Sequence, residues 1–219
     1  MCWSIESSKN AYIIGTLSSL ILLIKGNNMY KNIGLFFLAV AQMQLLEYFI
    51  WSDQGCGYIN NNASKMIVPV LNLQALAMIL GSYIFDITIL SKSLMSNITI
   101  FVVLFEVITS ILYLYITRKE LVCSLPIKNK GIEWNIGQSN IIGSDVIRNI
   151  WATIYFSIIF TFPLLWKGDL IKYLFTFIMI GSYTLIRVQN KITWQSRWCF
   201  PASIIPVLYV VLMLLGVKK

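Results

Sequence analysis

Long apolar runs alternate with short polar segments along the whole chain. Seven runs stand out, at 11–25, 33–51, 66–90, 98–117, 147–166, 170–188 and 199–217. A helix needs about 20 apolar residues to cross a hydrocarbon core, so each run predicts a membrane span. The first is short, but residues from Ser8 onward extend it. It has neither a basic start nor a small-residue cleavage site, which predicts an uncleaved anchor. Pro69, Pro163, Pro201 and Pro206 fall within runs. Membrane helices tolerate such kinks where neighbours satisfy the freed carbonyls. The predicted fold is all-α: one domain over 1–219, an integral membrane bundle of about seven transmembrane helices.

Composition strengthens that picture. The 219 residues are 58% hydrophobic and 12% charged, with a mean hydropathy of +0.74. A soluble domain carries about 25% charged residues. So few charges cannot cover a water-facing surface, and the lipid bilayer is the expected partner. The formal charge of +8 lies in loops and at helix ends, as interfacial anchors do, and predicts no nucleic-acid partner. Histidine is absent, which excludes histidine-based acid–base chemistry, Ser-His-Asp and Cys-His catalysis, and histidine metal sites. No metal and no cofactor is expected.

Seven spans place the termini on opposite sides. One side carries the N-terminus and loops 52–65, 118–146 and 189–198; on or beside it fall all four cysteines, Cys2, Cys56, Cys123 and Cys199. No CxxC pair is present, so a zinc knuckle or thioredoxin motif is not indicated. Four cysteines on one side suit two disulfides if that side is oxidising. First and last spans become neighbours when a bundle closes, which favours Cys2–Cys199 and leaves Cys56–Cys123. Ten of the seventeen Lys and Arg lie on this side, a count that taken alone makes it cytoplasmic. Half of them belong to one long loop, however, and the Asn62-Ala63-Ser64 sequon lies here too. The cysteine side is therefore expected to be lumenal or extracellular.

The strongest local signal is Gln42-x-Gln44-x-x-Glu47-x-x-x-Trp51 in the second span. Gln44, Glu47 and Trp51 share one helix face. A carboxylate inside a span is costly unless paired or wet, which marks Glu47 as a functional candidate. Asn72 and Gln74 of the third span, Arg187 of the sixth and Arg197 before the seventh are expected at similar depth. Asp86, near the far end of the third span, is within reach of Lys92 or Lys172. Glu106 lies near the middle of the fourth span and is expected to face the bundle or a cavity. Each carboxylate has a plainer reading as a helix-joining group. Trp134, Trp151, Trp194 and Trp198 are expected to anchor the cysteine-side interface.

The seventh span has no lysine for a retinal Schiff base, and neither a DRY-like triplet nor an NPxxY pattern appears. P-loops, dinucleotide fingerprints and nucleophile elbows are also missing. Other residues resemble a family of uncharacterised multi-spanning membrane proteins whose members begin MCWS, found in bacteria, unicellular eukaryotes and large DNA viruses. The resemblance rests on Met1-Cys2-Trp3-Ser4, on Gln44 to Glu47 with Trp51, and on Cys56 with Asn61 or Asn62. Ser196-Arg197-Trp198-Cys199 at the start of the last span is similar to that family's S-x-W-C segment. Where the family has H-L-x-W, Gly131-Ile132-Glu133-Trp134 keeps only the tryptophan. The resemblance implies a fold and no activity.

The leading functional expectation is a binding or transport protein for a small molecule or ion. Its polar pocket would open on the cysteine side around Gln44 and Glu47. A structural protein of a virion or organelle membrane and a membrane enzyme are the alternatives.

Overall fold

The computed structural model describes residues 4–127, 131–135, 145–168, 170–189 and 193–217, following 145–148 by backbone alone. The helices among them are α1 (Ile5–Lys25), α2 (Asn28–Ser52), α3 (Tyr58–Lys65), α4 (Ile67–Ile84), α5 (Lys92–Thr117), α6 (Asp145–Phe160), α7 (Leu170–Gln189) and α8 (Trp194–Leu214). Between α5 and α6 a two-stranded hairpin forms from β1 (Leu125–Ile127) and β2 (Gly131–Glu133). Six segments are long and apolar enough to cross a membrane: α1, α2, α3 with α4, α5, α7 and α8. The chain is an all-α membrane bundle.

Local chemistry sets the helix limits. Ser4 caps α1 in a reciprocal box with Ser7, so the helix begins before the apolar run does. Asn27 caps α2 and Ser91 caps α5 by accepting a backbone N–H from the third residue along. Pro69 explains the break between α3 and α4. Its ring would clash with the carbonyl four residues back, Lys65, where α3 stops.

Two expected spans are corrected. The fifth, expected as one helix over 147–166, is the 16-residue α6 followed by a four-residue 3₁₀ turn at Phe162–Leu165. Pro163 cannot continue an α-helix, and the tighter turn takes over. At 1.5 and 2.0 Å rise per residue the two pieces measure about 24 and about 8 Å, together matching a core of about 30 Å. The third span, expected to reach residue 90, leaves the helix after Ile84. Asp86 there adopts φ +49°. The chain then pairs with the end of the 3₁₀ turn: Ile89 N donates to Leu165 O at 2.9 Å and Lys167 N to Ile87 O at 2.6 Å.

The helix α2 is central, packed against α1, α4 and α8; α5 lies against α4, while α7 packs on α8. First and last helices are neighbours, as expected. Glycine allows the closest approaches. A Cβ on Gly15 would lie 2.7 Å from the Ser203 carbonyl of α8, and one on Gly34 2.8 Å from the Ser19 carbonyl of α1. Small residues serve this purpose in membrane bundles, where dispersion and hydrogen bonds replace the hydrophobic drive. Phe36, Phe37, Phe175, Trp166 and Tyr209 fill the core at the end away from the cysteines.

The cysteine end carries a folded cap. Cys56 and Cys123 form a disulfide with Cα atoms 5.7 Å apart, tying the connection between α2 and α3 to the segment before β1. Cys199 is a free, buried thiol, so the expected Cys2–Cys199 bridge does not form; Cys2 lies outside the described residues. Asn60 Nδ2 donates to Ser124 O at 3.1 Å, and Ser64 Oγ donates to Ser124 Oγ at 3.0 Å. Asp53 accepts the backbone N–H groups of Gly57 and Asn60, each at 3.0 Å. Those two donors, Asn60 foremost, hold its carboxyl below the usual range. The hairpin is pinned to α8 where Ile132 N donates to Ser196 Oγ at 3.3 Å.

Candidate functional site

Glu47 faces the bundle interior and is fully buried, as is Gln44. Gln44 Nε2 donates to Glu47 Oε2 at 3.1 Å, one helical turn away on the shared face. The other oxygen, Oε1, accepts from Trp134 Nε1 at 3.2 Å. Trp134 is only 8% exposed. Its expected place at the interface is therefore corrected: the residue after β2 inserts into the bundle because a buried carboxylate needs strong donors.

Asn72 and Gln74, expected beside Glu47, build a different network. Asn72 Nδ2 donates to Thr109 Oγ1 and Ser110 Oγ, each at 2.9 Å, and to Glu106 O at 3.1 Å. Its Oδ1 accepts from Trp151 Nε1 at 2.8 Å. One amide thus joins α4, α5 and α6. Gln74 Oε1 accepts from the Tyr155 hydroxyl at 2.6 Å, while Gln74 Nε2 is buried without a partner. Glu106 faces inward as expected; it is fully buried and neither carboxyl oxygen has a hydrogen-bond partner.

Asp86 lies outside the helices. It sits beyond the end of α4, exposed, and pairs with Lys167, Nζ to Oδ2 being 3.3 Å, rather than with the cations nearest in expectation. Arg197 lies half-buried in the first turn of α8. Arg187 stands exposed at the end of α7 with its guanidinium 4.8 Å from the Trp194 ring centroid and 6.0 Å from that of Tyr183.

A cavity of about 440 Å³ opens between α4, α6, α7 and α8 at the cysteine end. Its walls are mainly aromatic: Trp134, Trp151, Tyr155, Phe156, Tyr183, Trp194 and Trp198. Polar groups enter from Asn149, Arg187, Gln195 and the Cys199 thiol. Gln195 Oε1 is a buried acceptor without a partner. Edge-on contacts of Tyr183 with Trp194 and Trp198 (interplanar angles 87° and 89°) fix one wall, and Trp198 Nε1 donates to Ser182 Oγ at 3.1 Å. Gln44 and Glu47, around which a pocket was expected, do not line this cavity and connect to it through Trp134. Arg187 is the expected site residue that the cavity wall includes.

Sequence reasoning missed Tyr155, Trp134, Tyr183 and Gln195 as site residues. The available signal was the clustering of six tryptophans near one end, which reads equally well as an interfacial belt. Comparison with protein-family models, curated proteins and solved structures finds no match for the chain. The fold and cavity define a multi-spanning helical membrane protein with an aromatic cavity at one end.

Proposed function

We propose that this membrane protein binds a small amphipathic anion in the aromatic cavity and presents or moves it at the cysteine-side interface. The observation that carries this reading is the pairing of an aromatic-walled space of about 440 Å³ with an Arg187 guanidinium stacked 4.8 Å over Trp194 at its rim. A volume of this size falls in the range of about 300–1,000 Å³ typical of small-molecule sites, which are largely apolar with a few directing polar groups. Aromatic walls accept an alkyl or planar body. The guanidinium takes a carboxylate, phosphate or sulfonate head through paired N–H donors. Gln195 Oε1 accepts a hydroxyl or N–H of the same ligand.

We further infer that the cysteine side faces an oxidising compartment. The Cys56–Cys123 disulfide supports that sidedness. The buried Ser64 of the sequon, hydrogen-bonded to Asn60 and Ser124, makes Asn62 a poor topology reporter in the folded protein. Protection of a tag in loop 118–146 from protease in sealed vesicles is the direct test, and digestion there reverses the assignment.

The ligand reading is tested in lipid nanodiscs with octanoate, octanol and octylammonium as probes. Tryptophans in the wall report occupancy by fluorescence. Octanoate is expected to change the emission at the lowest concentration, and Arg187→Gln to remove its advantage over octanol. Equal responses to all three probes in wild type would refute the anion site, and no saturable response to any of them would refute the binding function.

A further inference from the structure

A second cavity, of about 400 Å³, lies at the end of the bundle away from the cysteines and stands independently of the ligand reading. Three stretches of chain enclose it. They are the start of α2 at Asn28 and Met29, the turn after α4 at Phe85 and Asp86, and the entry to α7 at Lys167 and Ile171. Direct bonds fix these walls: Asn28 Nδ2 donates to Phe85 O at 3.0 Å, and Lys167 N donates to Ile87 O at 2.6 Å. Here α2 and α7 begin and α4 ends, and each belongs to a segment long and apolar enough to span a membrane. The cavity therefore stands at the depth of lipid headgroups.

Its wall carries both signs of charge. Lys167 Nζ lies 3.3 Å from Asp86 Oδ2 and donates to Asp86 O at 2.8 Å. These contacts use two of the three ammonium N–H groups, so one remains to give, as does the second N–H of the Asn28 amide. The other Asp86 carboxylate oxygen remains to accept. Both side chains of the pair are about half exposed, at 52% and 60%, and can meet a ligand without leaving their places. Beside them Met29, Phe85 and Ile171 supply an apolar wall. An anion alone would face the Asp86 carboxylate, and a cation alone the Lys167 ammonium. A ligand carrying both charges and an apolar body matches all three features.

We propose that this cavity binds the headgroup of a zwitterionic lipid that bears a primary ammonium. Lys167 and Asn28 donate to its phosphodiester, and Asp86 accepts from its ammonium. Both are charge-assisted hydrogen bonds, the stronger kind. The glycerol and first acyl carbons lie against Met29, Phe85 and Ile171. A quaternary ammonium has no N–H to give to Asp86, and a purely anionic headgroup leaves that carboxylate facing a like charge. The chemistry thus selects phosphatidylethanolamine over phosphatidylcholine and phosphatidylglycerol.

Thermal melts of the full chain in nanodiscs read this site. Replacing part of a phosphatidylcholine bilayer by phosphatidylethanolamine is expected to raise the melting temperature in a saturable way, and replacement by phosphatidylglycerol to raise it less. Lys167→Gln and Asp86→Asn should each weaken the ethanolamine lipid's effect by about 10-fold in apparent affinity, the low end of what a hydrogen bond to a charged group is worth. A pair that only joins chain segments would instead lower the melt equally in every lipid and leave the ethanolamine increment intact. Asparagine readily adopts the left-handed backbone of position 86, at φ +49°. Asp86→Asn therefore decides the matter should Lys167→Gln fail to fold. Free phosphoethanolamine in the buffer separates a lipid from a soluble ligand and is expected to give no rise. The proposal is overturned if phosphatidylglycerol or free phosphoethanolamine protects as well as phosphatidylethanolamine, if no lipid gives a saturable rise, or if the ethanolamine increment survives in the folded variants.

Discussion

The indole nitrogen of Trp134 donates to Glu47 Oε1 at 3.2 Å, joining residues 87 positions apart in the chain. This bond does more than satisfy a buried carboxylate. It draws the segment after the β-hairpin into the bundle, and by doing so makes Trp134 part of the cavity wall. The polar pair of α2 and the aromatic site are thus mechanically linked, although Glu47 itself does not line the cavity.

Removing that donor should be costly. Trp134→Phe is expected to lower the unfolding free energy by about 1.5–3 kcal/mol, the usual worth of a hydrogen bond to a charged group. In a Glu47→Gln background the same change should cost clearly less, because the charge that strengthened the bond is gone. Chemical denaturation of the four proteins in detergent measures the cycle. Strict additivity would mean that Trp134 acts through packing alone.

The Cys56–Cys123 bridge closes a loop with a sequence separation of 67. The chain-entropy account assigns such a loop about 4 kcal/mol, and measured bridges usually return about 2–4 kcal/mol. Cys56→Ser, Cys123→Ser and the double variant should lose the same stability, and reductant should bring wild type to their level. A double variant weaker than either single one would show that the thiols contribute beyond the bond.

Much of the architecture could be read from the sequence because the bilayer imposes a length on every crossing. Runs such as 33–51 and 98–117 lie inside α2 and α5. The failures came where proline or long-range bonding intervened. Pro163 and Pro69 moved helix ends by a few residues, and the 165–167 segment drew residues 87–89 out of α4. The inward orientation of Glu47 and Glu106 followed from the cost of charge in lipid, so it was legible. Their partners were not. Helix periodicity puts Gln44 beside Glu47, but only the folded loop brings Trp134 there, and nothing local distinguishes that indole from an interfacial anchor. Asn72 and Gln74 are two residues apart in α4, and this spacing points them to different neighbours, Trp151 and Tyr155.

Acid should loosen the cap before the bundle. Asp53 is held below its ordinary value by N–H donors from Asn60 and Gly57 at the start of α3. A depressed carboxyl contributes stability that is fully present above its unfolded value, near 3.8, and is lost as pH falls through the lower folded value. Amide exchange at Gly57 and Asn60 should therefore accelerate in that acidic window. In Asp53→Asn the acceleration should be absent, with both amides less protected already at neutral pH. Acid-induced exchange that persists in Asp53→Asn would place the responsible group elsewhere.

Two glycines make opposite predictions for the same substitution. A Cβ on Gly15 would lie 2.7 Å from the Ser203 carbonyl and 3.3 Å from Ala41 Cβ, whereas one on Gly181 meets nothing within 4 Å. Alanine favours a helix over glycine by about 1 kcal/mol at either position. At Gly181 no clash opposes that gain, so Gly181→Ala should be neutral or stabilising by up to about 1 kcal/mol. At Gly15 the obstructing atom is backbone, which no rotamer change can relieve. The helices α1 and α8 must separate, at an overpacking cost of about 1–3 kcal/mol. Gly15→Ala should therefore be net destabilising, and Gly15→Leu more severely so. Parallel thermal melts of the three variants decide the matter: a Gly15→Ala protein as stable as Gly181→Ala would show that the α1–α8 contact has room to spare and is not what closes the bundle.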